Sequence, residues 1–233
     1  MLQRHEDWFS FFGISQKDTD RAKNLTDTAI GPSAGMMSHG DFYALAAALL
    51  HHKPTVIFEI GTYMGVSSNF FLSLLPKTQV ISIAFITASQ LSPDMASADS
   101  NAAYNNDDLS LDQVGSLVSN ENRPRFTQLI GDSHTIVARD FVTRHGKMDF
   151  VFIDGDHSRD GVAQDTVLAM NLIGPKGAIG WHDANPKRRY IGSRLFLEQD
   201  LEVTALATAD NYIGGVAFWT EKLEKRLLSK AAA

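Results

Sequence analysis

Apolar runs bounded by turn residues alternate with helix-spaced patterns through most of the chain. Asp41 is placed to cap a helix over Phe42 to His52, and Lys53-Pro54 stops it, because proline disfavours helix in the residue before it. Thr55 to Ile60 is then a continuous, largely β-branched run, the pattern of a strand buried on both faces. Gly61 to Gly65 forms a turn, and Val66 to Leu75 a helix ended by Pro76. Gln79 to Phe85 and Arg125 to Ile130 predict the second and third strands. Ser133 to His145 reads as a helix, Met148 to Ile153 as the fourth strand and Asp160 to Ile173 as the next helix. A turn at Gly174-Pro-Lys-Gly177 leads to a fifth strand, Ala178 to Trp181.

Beyond it, Ile191 to Asp200 is helical in pattern, and Glu202 to Ala207 and Tyr212 to Trp219 are strands. The short link at Ala209-Asp-Asn211 allows only an antiparallel hairpin, whereas the earlier helical crossovers imply parallel strands. The pattern therefore predicts a doubly wound α/β fold whose sheet is mostly parallel, with one reversed strand near its C-terminal edge. A charged helix, Glu221 to Lys230, closes the chain. Trp8, Phe9, Phe11 and Phe12 are too concentrated for a free tail and should pack onto the domain or, failing that, a second subunit. The stretch 86–124 breaks the rhythm: it is rich in Ser, Asp and Asn and too long for an ordinary connection. It reads as a lid or as a tolerated surface insertion, with a short helix over Asp107 to Val118 carrying Leu111, Val114 and Leu117 on one face.

Composition narrows the class. A chain of 233 residues with 44% hydrophobic and 21% charged residues suits one folded domain spanning 1–233 and excludes wholesale disorder. The absence of cysteine removes disulfides, thiolate metal sites and cysteine nucleophiles. A net charge of -6 gives no electrostatic reason to expect nucleic acid or anionic lipid as partner. The longest nearly apolar run, Phe42 to Leu50, is too short to cross a bilayer, and the start does not read as a signal peptide. The expectation is a cytoplasmic domain without a membrane partner; homo-oligomerisation is left open.

In an open parallel sheet ligands bind beyond the carboxyl ends of the strands. The residues there are Glu59-Ile-Gly-Thr-Tyr-Met-Gly65, Ala84-Phe85, Gly131-Asp-Ser-His134, Asp154-Gly-Asp-His157 and His182-Asp183. All but Ala84-Phe85 are polar, glycine-rich or both. Gly61 and Gly65 allow a tight turn with close ligand approach, and the following helix start offers free N–H groups. The spacing is neither that of a dinucleotide fingerprint nor of a P-loop. Asp154 and Asp183 converge if their strands are neighbours, and two carboxylates so held repel unless a proton or a cation intervenes. A hard divalent ion such as Mg²⁺ fits that demand, with room left for substrate oxygens. In the alternative, Asp154 and Asp183 cap the adjoining turn and helix, and His157 is a hydrogen-bonded loop residue.

Phe58-Glu-Ile-Gly-Thr-Tyr-Met-Gly65, Phe152-Ile-Asp-Gly-Asp-His-Ser158 and Gly174-Pro-Lys-Gly-Ala-Ile-Gly-Trp-His-Asp183 resemble class I S-adenosylmethionine-dependent methyltransferases. They are similar in particular to the branch with macrocin, mycinamicin and rhamnosyl O-methyltransferases and cephalosporin-hydroxylase-like proteins, over about Ser38 to Trp219. The resemblance implies a Rossmann-like, seven-stranded sheet with its last strand antiparallel. It implies that Glu59, Gly61, Tyr63, Met64 and Gly65 hold the amino-acid end of S-adenosylmethionine, and that Asp132, Ser133 and His134 border its adenine. It makes Asp154 and Asp183 metal ligands, His157 the candidate base, and a small hydroxylated molecule the acceptor.

Two departures qualify this. Family members usually end the second strand with an acid that accepts hydrogen bonds from the ribose hydroxyls, whereas this chain has Ala84 and Phe85. Either Asp94 or Asp99 reaches back from the insertion, or cofactor affinity is reduced, or the cofactor differs; a non-catalytic or differently acting descendant is the competing reading. Secondly, His182 precedes Asp183 where related sites often pair oxygen-bearing residues. Imidazole suits transition metals better than Mg²⁺, which leaves Asn185, water, or His182 with a softer ion as third ligand. Lys187, Arg188 and Arg189 at the same rim form a solvated basic face or a contact for an anionic substrate.

Overall fold

A chain that buries several strands on both faces needs helices on both sides of one sheet, and that is the arrangement found. The computed structural model describes residues 2–4, 7–29, 37–86, 109–184, 192–201, 206–209 and 215–225. The N-terminal part runs β1 (Leu2–Arg4), α1 (Trp8–Phe12), α2 (Gln16–Ala29) and α3 (His39–His52). The next units are β2 (Val56–Ile60), α4 (Val66–Leu74), β3 (Gln79–Ala84) and β4 (Phe126–Ile130). There follow α5 (Ala138–His145), β5 (Met148–Ile153), α6 (Arg159–Leu172) and β6 (Ile173–His182). The chain ends with α7 (Gly192–Gln199), β7 (Leu206–Ala209), β8 (Val216–Trp219) and a helical turn at 221–225.

The strands lie in the order β1-β7-β8-β6-β5-β2-β3-β4. All pairings are parallel except those of β8, which runs antiparallel to both β6 and β7. The seven expected strands are β2 to β8, and the last is the reversed one. β1 adds an eighth at the edge of β7. Strand order reverses between β2 and β5, so the loops after these two strands flank the crevice where such folds take ligands.

Alternation along the strands divides the interior into two cores. Ile57, Val80, Phe150, Phe152, Ala178 and Phe218 face α3 and α4, while Phe58, Ile81, Val151, Ile153, Ile179 and Trp181 face α5, α6 and α7. Helix α3 is apolar nearly all round, from Phe42 to Leu50, because α1 and α2 cover the side turned away from the sheet. Trp8, Phe9 and Phe12 of α1 are buried in that layer, with Phe12 against His51 and Phe218, so the N-terminal aromatic cluster packs onto the domain.

Several boundaries differ from the sequence pattern. Ser38, not Asp41, caps α3; Asp41 sits three residues inside, with its carboxylate closing the capping box. The stretch read as one helix from Ser133 is a 3₁₀ turn (Ser133–Thr135), then extended backbone at Ile136 and Val137, then α5. Residues 174–177, read as a turn, lie within β6, where the ladder to β5 shifts register between Met148 and Phe150. Residues 111–117 form consecutive turns rather than a helix, with Leu111 and Leu117 exposed and Val114 buried. Asn185, Lys187, Arg188, Arg189, Asp94 and Asp99, together with most of the C-terminal hairpin link, lie outside the described residues.

Candidate functional site

The turn after β2 is built by close backbone packing across the switch point. Asp154 N donates to Ile60 O at 2.9 Å, and the N–H groups of Gly61 and Thr62 donate to Ile83 O at 2.9 and 3.2 Å. Gly61 has φ +104°, and a Cβ there would lie 2.1 Å from the carbonyl oxygen of Asp154. Only glycine fits. Gly65, at φ +86°, begins α4 without a side-chain cap, so the first N–H groups of α4 have no side-chain acceptor at the N-cap. Tyr63 adopts φ 47°, a conformation that costs a bulky residue on the order of 1 kcal/mol. Segment 109–119 is tied to this turn: Gly115 N donates to Tyr63 O and Leu117 N to Met64 O, each at 2.9 Å. Part of the long insertion thus belongs to the glycine turn.

Beneath the turn lies Glu59, fully buried. Its Oε2 accepts from Ser68 Oγ and, at 2.6 Å, from Ser82 Oγ; Ser82 in turn meets Thr62 Oγ1 at 2.6 Å. Glu59 Oε1 accepts no hydrogen bond among the described residues. Burial pushes its carboxyl up to about 7, against the opposing pull of the Ser67, Ser68 and Ser82 hydroxyls. Below pH 4.5 the unfolded and folded chains both hold the proton; between 4.5 and about 7 only the fold does, and stability falls as pH rises. The loss is about 3 kcal/mol at most. Glu59→Gln should therefore gain stability relative to the parent across that window, read as the difference in urea midpoints at pH 5 and pH 8. A pH-independent difference would contradict the burial of an ionisable proton here.

The second half of the site is the end of β5 and β6. Because β5 and β6 are neighbours, with Ile153 opposite Trp181, Asp154 meets the His182-Asp183 pair. Asp154, His182 and Asp183 each offer one ligand atom, and these atoms lie within 4.8 Å of one another. His182 Nδ1 is 2.9 Å from Asp154 Oδ1 and 3.6 Å from Asp183 Oδ1. His157 Nδ1 is 3.1 Å from Asp183 Oδ2. Asp183 adopts φ 55°, a left-handed conformation that aspartate tolerates better than most residues. Burial alone would lower the pKa of His182, but the surrounding Asp154, Asp41 and Asp183 carboxylates hold it well above the usual histidine value. For His157 burial likewise opposes the charge, and the Asp183 hydrogen bond with the Asp154 and Asp183 charges outweighs it, so its pKa is raised. Burial works to raise Asp183, yet the His157 hydrogen bond and the two imidazoles leave it below the ordinary carboxylate range.

The sequence reading missed two residues. Asp41 looked like a helix cap, but its buried carboxylate also accepts from Gly215 N at 2.8 Å and faces His182 Nε2 at 3.4 Å. Nothing local signals a contact across 141 positions. Asp165 on α6 accepts from Ser133 Oγ at 2.7 Å and lies 3.4 Å from His134 Nε2. Burial raises it to about 6, and it anchors the Asp132-Ser133-His134 turn after β4. The end of β3 presents Phe85, exposed, in the place where an acid was sought.

The residues present fit both groups the sequence implied. For a cofactor, the backbone turn at residues 61–65 and the side-chain-uncapped α4 start lie at the switch point, with the buried, unpaired Glu59 Oε1 beneath them. For a divalent cation, two carboxylates and an imidazole converge with a third carboxylate behind. An open α/β sheet of this order, with a glycine turn at its switch point and acids after β5 and β6, is the fold of class I methyltransferases.

Comparison with protein families bears this out. Residues 58–184, more than half of the chain, match the family described as a methyltransferase domain, and the chain belongs to that family of S-adenosylmethionine-dependent methyltransferases. No curated protein matches the sequence. Among solved structures it is similar to the SAH-bound methyltransferase PaMTH1 of Podospora anserina, with 15% identity, a TM-score of 0.51, and 89% of each chain covered. It is similar also to an O-methyltransferase of Bacillus cereus in complex with SAH, with 15% identity, a TM-score of 0.50, and 91% and 94% covered. A third is the MycE methyltransferase of the mycinamycin biosynthetic pathway, in complex with Mg and SAH. There the identity is 17% and the TM-score 0.50, with 84% of this chain against 53% of that one. At these identities the likeness establishes the fold. Among the described residues no helix is long and apolar enough to cross a membrane.

Proposed function

We propose that this chain transfers the methyl group of S-adenosylmethionine to a hydroxyl of a small molecule, with a divalent metal at the acceptor side. The observation that carries the reading is the convergence of Asp154, His157, His182 and Asp183 beside the Gly61 turn.

Gly61, Tyr63, Met64 and Gly65 would form the wall against the amino-acid end of the cofactor, with Glu59 supporting the turn from below. Asp132, Ser133 and His134, steadied by Asp165, would border the adenine. Asp154 and Asp183, with His182, would hold the metal, and residues 109–119, bonded to the Tyr63-Met64 backbone, would stand beside the cofactor turn. When bound, the cofactor supplies a methyl group on a positively charged sulfonium, and the metal supplies charge stabilisation for an acceptor alkoxide. The protein's own task is to orient the acceptor oxygen, exclude water and remove one proton. His157 is suited to that removal, since its Nδ1 pairs with Asp183 and the ring stands at the edge of the acid–imidazole cluster. A base is idle until the solution deprotonates it. Methyl transfer should therefore rise with pH as the base loses its proton, and His157→Ala should flatten that limb. A pH–rate profile unchanged in the variant would remove His157 from the role.

The direct test is incubation of the protein with methyl-labelled S-adenosylmethionine and a panel of hydroxylated acceptors, sugars and polyketide-like alcohols included. The expected product carries the label in an ether linkage and requires a divalent ion. Label on nitrogen or carbon, or transfer undiminished after chelation, would overturn the reading.

A further inference from the structure

The environment of His182 carries more than its proximity to two acids. Asp41 lies on α3, far from β6 in sequence, and its carboxylate is held from several directions. Oδ1 accepts from Gly215 N at 2.8 Å, while Oδ2 accepts from Ser38 N at 3.1 Å and from Ser38 Oγ at 2.7 Å. So fixed, Oδ2 faces His182 Nε2 at 3.4 Å, and the carboxylate is fully buried. An imidazole presents one donor and one acceptor nitrogen when neutral, and the partner of one nitrogen decides the role of the other. Both nitrogens face carboxylates, Nδ1 at 2.9 Å from Asp154 Oδ1 and 3.6 Å from Asp183 Oδ1; a cation held between those two acids would displace the Nδ1 proton and leave the remaining N–H on Nε2, toward Asp41. A carboxylate behind a histidine that points at an acid pair is the arrangement by which proteins orient metal-ligating imidazoles. The donor set is then one nitrogen with carboxylate oxygens. That combination suits borderline first-row ions, whereas Mg²⁺ prefers an all-oxygen shell that keeps several waters.

We propose that His182 Nδ1 is a metal ligand alongside Asp154 and Asp183, that Asp41 is the residue positioning it, and that the site takes Mn²⁺, Fe²⁺ or Co²⁺ in preference to Mg²⁺. The inference rests on the metal-assisted methyl transfer argued above and adds to it the class of ion and the origin of its selection. Asp41 touches neither ion nor substrate; it acts through the imidazole.

The test uses the metal-stripped full-length protein titrated with Mn²⁺ and followed by electron paramagnetic resonance, with Mg²⁺ affinity read by competition. Mn²⁺ is expected to bind at least roughly tenfold tighter than Mg²⁺. Pulsed spectra of the Mn²⁺ form should carry imidazole ¹⁴N coupling, kept in His157→Gln and lost in His182→Gln. Asp41→Asn, which preserves a side-chain acceptor for the α3 cap, should weaken Mn²⁺ by roughly 10- to 100-fold and Mg²⁺ far less. Because the parent spectrum alone reports nitrogen ligation, the conclusion survives a variant that folds poorly. Equal or tighter Mg²⁺ binding, Mn²⁺ bound without ¹⁴N coupling, or coupling retained in His182→Gln would each overturn the proposal. Calorimetry with S-adenosylhomocysteine on the same samples separates the two levels. Cofactor product bound alongside any of these failures sinks the ion assignment alone, whereas no binding of either ligand sinks the methyl-transfer reading as well.

Discussion

Asp154→Asn and Asp183→Asn are each expected to lower methyl transfer about a thousandfold while leaving the fold standing. Each removes a formal charge from the three-atom cluster that Asp154, His182 and Asp183 form, and so several kcal/mol of charge stabilisation at the acceptor. The fold should survive because both side chains sit at the lip of the sheet, past the last ladder residues of β5 and β6. The losses should not add in the double variant, since residues acting as one unit are non-additive. Initial rates with labelled cofactor, together with thermal melts of each variant, check this. Turnover within a few fold of the parent in either single variant would remove the metal pair from the mechanism.

Gly61→Ala is the second large effect. The added methyl would lie 2.1 Å from Asp154 O and 2.6 Å from Asp154 C, both backbone atoms, in a residue already at φ +104°. Backbone cannot rotate aside as a side chain can. Either the β2–β5 pairing at Ile60 and Asp154 opens or the turn shifts, at a cost on the order of 3 kcal/mol or more. For a chain of this size that corresponds to roughly 6–12 °C in melting temperature. Since the turn and the acid pair share this contact, binding of S-adenosylhomocysteine should be lost together with stability. A variant with parental affinity would show that the glycine turn does not receive the cofactor.

The strands were legible because central parallel strands must be apolar on both faces; Val56–Ile60 and Met148–Ile153 needed no tertiary information. The meeting of Asp154 with Asp183 was legible one step further on, as adjacency of β5 and β6 turns two end-of-strand acids into neighbours. Residues 174–177 misled because Gly-Pro-Lys-Gly carries turn chemistry. The structure accommodates it in β6, where the ladder to β5 is irregular and pairing with β8 begins only at Ile179. The break at Ile136 and Val137 was hidden by their apolar character, which fits a helix face equally well. β1, three residues long, is too short to carry a periodic signal. Asp41 was illegible as a site residue for a different reason. Its capping role explained it fully at short range, and only the fold brings α3 to the end of β6.

Central to the proposed reaction is a sulfonium cofactor received at one lip of the sheet, beside the acid–imidazole cluster. The most direct test is a crystal structure with S-adenosylhomocysteine. The expected density runs from the turn at residues 61–65 to Asp132–His134, with the sulfur directed toward Asp154 and His157. Density confined to another surface, or a ligand whose sulfur points away from that cluster, would contradict the claim.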